Sequence, residues 1–128
     1  MAPRVAFIAV KTVSEANNHA HWRGRARRAR AQRRATGLVM ASQFDRRGVA
    51  LPCVVSLTRL STRRLDDDNL RGALKHVRDE IAEWLGVNDA SPVVQYKYDQ
   101  AACRCGGEGV RVELHSGARL VESITGAA

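Results

Sequence analysis

The spacing of apolar residues along the chain changes between the periods of strand and helix. Val5 to Val10 is a short apolar run, the length of one buried strand. The cap-type residues of SEANNHAHW follow, and from Trp22 to about Met40 the pattern is helical, with Gly37 weakening or ending the helix. Phe44 to Gly48 reads as a polar turn. Val49 to Leu60 is rich in β-branched residues and reads as a buried strand, with Pro52 near its beginning or on an edge. The clearest helix spans Asp67 to Leu85, where Leu70, Ala73, Leu74, Val77, Ile81, Trp84 and Leu85 recur at helical spacing and make one apolar face. Asp66 is its N-cap, Leu65 and Leu70 form a hydrophobic staple, and Gly86 is the stop. After the loop VNDASP, Val93 to Arg104 reads as a strand. CGGEG then turns the chain into a second strand, Val110 to Ser116, so these two are expected to form a hairpin. The order β-α-β-α-β-β predicts an α+β domain over residues 1–128, a mixed sheet with helices packed on it and a weakly patterned tail from 117.

Composition supports one globular core: the chain has 128 residues, 45% of them hydrophobic. Val5 to Val10 is too short for a signal peptide or a membrane span, which predicts a soluble, non-exported protein with no membrane partner. Three cysteines cannot all pair within one chain, and a reducing cytoplasm fits them. Cys103 and Cys105 form a lone C-x-C with no second pair, so zinc is not expected there.

Charge narrows the partner. The net charge is +8, and 18 of the 21 basic residues are Arg, which GC-rich coding also produces. A polyanionic partner is expected. Arg23 to Arg34 holds seven Arg and no acid. Such a stretch is either a solvated helix face or the counterpart of a phosphate backbone, and like charges at this density repel without one. Arg23, Arg27, Arg28, Arg30 and Arg34 are therefore expected to bind nucleic acid. Trp22, beside His19 and His21, either stacks on exposed bases or belongs to the core.

Against this basic background stand three adjacent acids, Asp66, Asp67 and Asp68. One cap residue satisfies first-turn donors, and further carboxylates add repulsion. A hard divalent cation would relieve it. Mg²⁺ takes one or two carboxylates together with water and phosphate oxygens, and Asp66 and Asp68, either side of Asp67, can both face such an ion. On an ideal helix Asp68, Lys75 and Asp79 fall within roughly 40° of one another, opposite the apolar face, with Gly72 leaving a gap in the stripe. The plainer alternative is a capped helix with a solvated acidic face. Metal-dependent phosphodiester cleavage needs the acids for the ion, a Lys to neutralise phosphate charge, and basic surface to hold the polyanion.

The run LDDDNLRGALKHVRDEIAEWLGVND, with upstream Asn17 and Trp22, resembles the RusA-type Holliday junction resolvases, especially phage-borne relatives. The shared pattern is Asp-x-Asp-Asn, a Lys and an Asp on the following helix, and Gly-Val-x-x-Asp after it. Asp66, Asp68 and Asn69 match the first motif, Asp79 the helix aspartate, and Gly86, Val87 and Asp89 the last. The match covers about the middle third of the chain. Two positions depart from it: the family's Lys falls where this chain has Gly72, with Lys75 three residues later, and its closing pair of acids is here Asn88-Asp89. The resemblance implies a homodimeric endonuclease of a bacterial or phage-infected cytoplasm that cuts branched, four-way DNA. It implies Mg²⁺, with Mn²⁺ as the alternative ion, held by Asp66, Asp68 and Asp89, with Lys75 in the catalytic group and Asp79 in support. Asn17, Trp22, Asn69 and Arg71 join the Arg run in contacting DNA. Two other functions fit the residues: a non-catalytic basic DNA-binding or packaging protein, and a metal-dependent ribonuclease using the same site.

Overall fold

A computed structural model describes residues 4–14, 22–88 and 90–116. Asn17, His19, His21, Asp89 and the tail from 117 lie outside the described residues. The elements are β1 (Arg4–Ile8), α1 (Trp22–Gln43), β2 (Cys53–Ser61), α2 (Asp67–Ala73), α3 (Lys75–Leu85), β3 (Val94–Ala102) and β4 (Gly109–Ser116), with a 3-10 turn at Arg46–Gly48. This is the expected α+β architecture: a mixed four-stranded sheet against which the helices pack. Alternate residues of the strands (Ala6 and Ile8, Val55 and Leu57, Val110, Val112 and Leu114) meet Met40 of α1 and Leu70, Leu74, Val77, Ile81 and Leu85 of the α2–α3 segment. Among the described residues no helix is long and apolar enough to cross a membrane.

The expected hairpin does not form. Strand order is β1-β4-β2-β3, with β4 antiparallel to both β1 and β2, and β3 parallel to β2. The pattern of burial explains the difference. Cys53, Val54, Val55 and Leu57 of β2 are fully buried, so β2 needs a neighbour on each side. β3 exposes Lys97, Asp99 and Ala101, which suits an edge. The α2–α3 segment supplies the long crossover that parallel strands require. Residues 103–108 then carry the chain across the end of β2 to place β4 in the interior. Gly109 opens β4 where a Cβ would overlap the Phe7 ring and the Ile8 carbonyl of β1.

The long helix also differs from its expected form. It is interrupted at Leu74 (φ −99°, ψ 3°), so that α2 and α3 are separate. Gly72 is the poorest helix former in this stretch, and Leu74 remains completely buried at the bend. Both ends follow expectation: the Asn69 N–H donates to the Asp66 carboxylate at 2.9 Å, and Gly86 is left-handed with φ 75°. Gly37 does not end α1. Its missing side chain lets Glu80 of α3 come close, with Oε2 3.3 Å from where a Cβ would stand.

Candidate metal centre and nucleic-acid interface

Because β4 runs against both β1 and β2, and β3 runs with β2, the carboxyl ends of β1, β2 and β3 share one edge of the sheet. The segment leaving β1 is held there by three side chains from three elements. Gln32 of α1 donates to the Lys11 carbonyl at 3.2 Å. Arg59 of β2 donates to the Thr12 hydroxyl at 2.9 Å, the Thr12 carbonyl at 3.1 Å and the Arg63 carbonyl at 2.8 Å. The Ser14 hydroxyl donates to the Asn69 side-chain carbonyl at 2.9 Å. Lys11–Ser14 thus joins the basic helix to the acidic entrance of α2. From the other side Gln100 of β3 clasps the Leu65 backbone, accepting from its N–H at 2.9 Å and donating to its carbonyl at 2.6 Å.

Arg59 was not among the residues expected to matter. The signal was present: in CVVSLTR it shares the strand phase of Cys53, Val55 and Leu57, which point into the core. It is 5% exposed, and burial pulls its guanidinium below the ordinary arginine value. Its donors go to a hydroxyl and carbonyls, so its charge organises loops instead of neutralising a carboxylate. Replacing it by Met should remove three charge-assisted bonds and cost about 3 kcal/mol of folding stability. Urea unfolding measures this; a loss below about 0.5 kcal/mol would mean that water replaces those bonds without penalty.

Asp66, Asp67 and Asp68 are all exposed. Asp66 is extended (φ −71°, ψ 169°) and spends one carboxylate oxygen on the Asn69 N–H. Asp67 shares a groove with Arg71 of α2 and with Tyr96, Lys97 and Tyr98 of β3, and the Arg71 guanidinium lies 5.5 Å over the Tyr98 ring. Arg63 and Arg64, just upstream, line a second groove with Gln100 and Ala102. Basic residues of the β2–α2 loop, α2 and β3 thus lie near the entrance of α2, with Asp67 in direct company of Arg71 and Lys97. For a divalent ion the described residues offer the exposed carboxylates of Asp66 and Asp68, two residues apart in the chain, and no group of three or more metal-binding side chains. That oxygen-only donor set matches what Mg²⁺ accepts when phosphate and water complete its shell.

The other expected site residues divide. Lys75 is exposed and lines a groove with Gly72, His76, Arg25, Ala26 and Ala29, so it faces the basic half of α1. Asp79 is not brought to the other aspartates. It lies about 16 Å along the helical segment from Asp68 and accepts from Arg78 at 3.0 Å, in a groove with Arg33, Glu83 and Asn88. Burial opposes the charge on Arg78, but its bonds with Tyr98 and Asp79 outweigh this and raise its pKa. Asn88 and Ala90, on either side of Asp89, follow the far end of α3, where the Leu85 carbonyl accepts from Arg46 at 2.7 Å and the Val93 carbonyl accepts from the first residue of β2. A nine-residue strand separates that edge from the acids, roughly 26 Å.

On α1, Gln32, Thr36 and Met40 form the buried stripe, and Arg23, Arg27, Arg30 and Arg34 are exposed while Arg28 is partly covered. Trp22 is 59% exposed, with the Arg23 guanidinium 5.3 Å from its ring, so it is not a core residue. Replacing Arg27, Arg28, Arg30 and Arg34 by Ala should weaken binding to DNA of every shape and flatten its salt dependence by about one log unit per lost phosphate contact. Titrations at several salt concentrations read this slope, and an unchanged slope would remove the Arg run from the interface. Comparison of the chain with protein-family models and with curated proteins finds no match to either.

Proposed function

We propose that this protein is a metal-dependent, structure-selective DNA endonuclease of the RusA type, which resolves four-way junctions by phosphodiester hydrolysis. The observation that carries this reading is the group of exposed aspartates at the entrance of α2, preceded in the chain by Arg63 and Arg64, with Asp67 in one groove with Arg71 and Lys97, and tied through Asn69 and Ser14 to the segment that leads into the Arg-rich helix. Acid alone would repel DNA and base alone would only bind it; the two together suit binding followed by cutting.

In this reading Asp66 and Asp68 hold Mg²⁺, which when bound supplies charge neutralisation at the phosphate and a more acidic water. Arg71 and Lys97 receive the phosphate beside the acids. The exposed arginines of α1 hold a flanking duplex arm, and Lys75 lies between the two regions. Asp89 is proposed as the third carboxylate, supplied by the second subunit of a homodimer.

The capping bond made by Asp66 favours a second reading, in which the acids serve the helix and the protein only binds DNA. A ribonuclease is the third. Incubating the protein with a synthetic four-way junction, a linear duplex and an RNA, each with and without Mg²⁺, separates all three. Mg²⁺-dependent cutting confined to the junction is the expected result. Binding without scission would establish the second reading, and cutting that requires a 2′-hydroxyl the third.

A further inference from the structure

Asp67 and Arg71 stand four residues apart on α2, a spacing at which opposite charges ordinarily pair along a helix. Here the Arg71 guanidinium turns to β3 instead and lies 5.5 Å from the centre of the Tyr98 ring. Among the described residues nothing hydrogen-bonds or ion-pairs with the Asp67 carboxylate. The groove that holds these three side chains also takes in Leu70, Tyr96 and Lys97 and encloses about 260 Å³. That is below the roughly 300–1,000 Å³ usual for whole small-molecule ligands and suits one flat ring. Its apolar side is covered, with Leu70 buried and both tyrosines partly buried against the core. Its charged groups, Asp67, Arg71 and Lys97, are exposed.

The aromatic ring in this groove is held in place. Arg78 of α3 bonds to the Tyr98 side chain and donates to the Asp79 carboxylate at 3.0 Å. Asp79 thus fixes Arg78, Arg78 fixes Tyr98, and Tyr98 carries Arg71 on one side of its ring. The other side of the Arg71 guanidinium is open to solvent. Aromatic rings and guanidinium planes are the surfaces on which unpaired bases stack.

We infer that this groove takes one unpaired guanine of the bound DNA. The base stacks on the open side of the Arg71 guanidinium, above Tyr98, and Asp67 reads its edge. An unpaired base presents its Watson–Crick edge to the protein. Among the four bases of DNA, guanine alone carries two adjacent donors there, N1–H and the 2-amino group. A carboxylate accepts from such a pair as a fork, through two parallel bonds. Adenine and cytosine each set one donor beside an acceptor, and thymine sets its single donor between two acceptors. With any of these three, a lone pair of the base would face the second carboxylate oxygen. Asp67 and Arg71 are neighbours on the helix surface, so a ring lying on Arg71 brings its edge to Asp67. The in-plane N–H groups of Arg71 and the ammonium of Lys97 are left for the phosphate of the same nucleotide.

This gives the three adjacent acids two different tasks. Asp66 and Asp68 serve the ion, and Asp67, between them in the chain, serves the base. It also gives Asp79 a task away from the ion, since it positions Tyr98 through Arg78. In a duplex the Watson–Crick edge is already occupied, so the groove responds to strands that have opened, as at a branch. The link to cutting rests on the proposed function; the recognition of an unpaired guanine does not.

Fluorescence titration of the full chain tests the groove without reference to activity. The probes are short, labelled single strands of thymine with one central base varied, and EDTA is present so that nothing is cut. A central guanine should bind on the order of tenfold tighter than adenine, cytosine or thymine at the same place. Inosine, which lacks the 2-amino group, should lose most of that preference, and 7-deazaguanine, which keeps both donors, should retain it. Annealing the strand to its complement should abolish it. Asp67→Asn should remove the preference for guanine without weakening the other strands, since a negative charge beside DNA is lost. Tyr98→Leu should weaken strands of every base alike, on the order of tenfold, while Tyr98→Phe keeps most of the binding. Equal affinity for the four bases would overturn the inference, as would a guanine preference that survives Asp67→Asn. Free dGMP that competes as well as the oligonucleotide would also overturn it, by making the groove a site for a free nucleotide. A guanine preference in a protein that never cuts junctions would keep the groove and refute the nuclease. Junction cutting by a protein with no such preference would keep the nuclease and overturn the groove.

Discussion

Asp66→Asn and Asp68→Asn should each abolish Mg²⁺-dependent junction cleavage, by about a thousandfold or more, while leaving junction binding intact or tighter. The two substitutions are unusually clean in this fold. Asn is as good an N-cap as Asp, so the bond from the Asn69 N–H survives in Asp66→Asn. Asp68 is exposed, and its replacement leaves the core untouched. In the proposed function each loses one anionic ligand of a hard cation, and removing charge stabilisation at phosphoryl chemistry costs several kcal/mol. Removing a negative charge beside DNA also relieves repulsion, which is why binding does not fall. Asp67→Asn is the internal control: Asp67 faces the Arg71–Lys97 groove, and its loss should be far milder. Single-turnover cleavage, gel-shift binding without metal and thermal melting measure the three consequences. Full activity in both Asn variants would leave no metal site at this position.

Mixing inactive Asp66→Asn chains with inactive Asp89→Asn chains should restore nicking. If each site takes Asp66 and Asp68 from one subunit and Asp89 from the other, a mixed dimer carries one intact site and one doubly damaged site. Random mixing then returns about a quarter of all sites to working order, and the product is a nick in one strand instead of paired cuts. The positions of Asn88 and Ala90 motivate this: they stand at the edge of the sheet opposite Asp66. A site assembled within one chain would leave every mixed dimer dead. A fully active Asp89→Asn protein would remove Asp89 from the chemistry.

Helices and strands were legible in the sequence where one face decides. The apolar stripe from Leu70 to Leu85, the cap at Asp66 and the stop at Gly86 depend on local spacing, and all appear in the structure. Pairing was not legible, because the CGGEG turn has local hairpin chemistry while β4's place is set by β2, whose two buried faces and two flanks need partners from distant parts of the chain. The bend at Leu74 escaped for a related reason: heptad-like spacing is the same in a straight helix and in two short ones. Of the candidate site, the acids and the arginines were readable as chemistry. Their connection was not, since it runs through Arg59, Gln32 and Ser14, single polar residues whose partners lie 47, 21 and 55 positions away.

The strand order has a consequence for how the molecule is made. Among the described strands β4 comes after β1, β2 and β3 in the chain, yet it lies between β1 and β2. Until residues 109–116 are synthesised, β1 has no partner, and its Ala6 and Ile8 have no sheet to be buried in. The β1–β4 ladder joins residues about a hundred positions apart, so loop-closure entropy is spent before that ladder stabilises anything. The nascent chain is thus held short of its native topology until residues 109–116 have been added. A chain terminated before residue 109 would carry the Arg-rich helix and the aspartates without the strand that sets them in one frame.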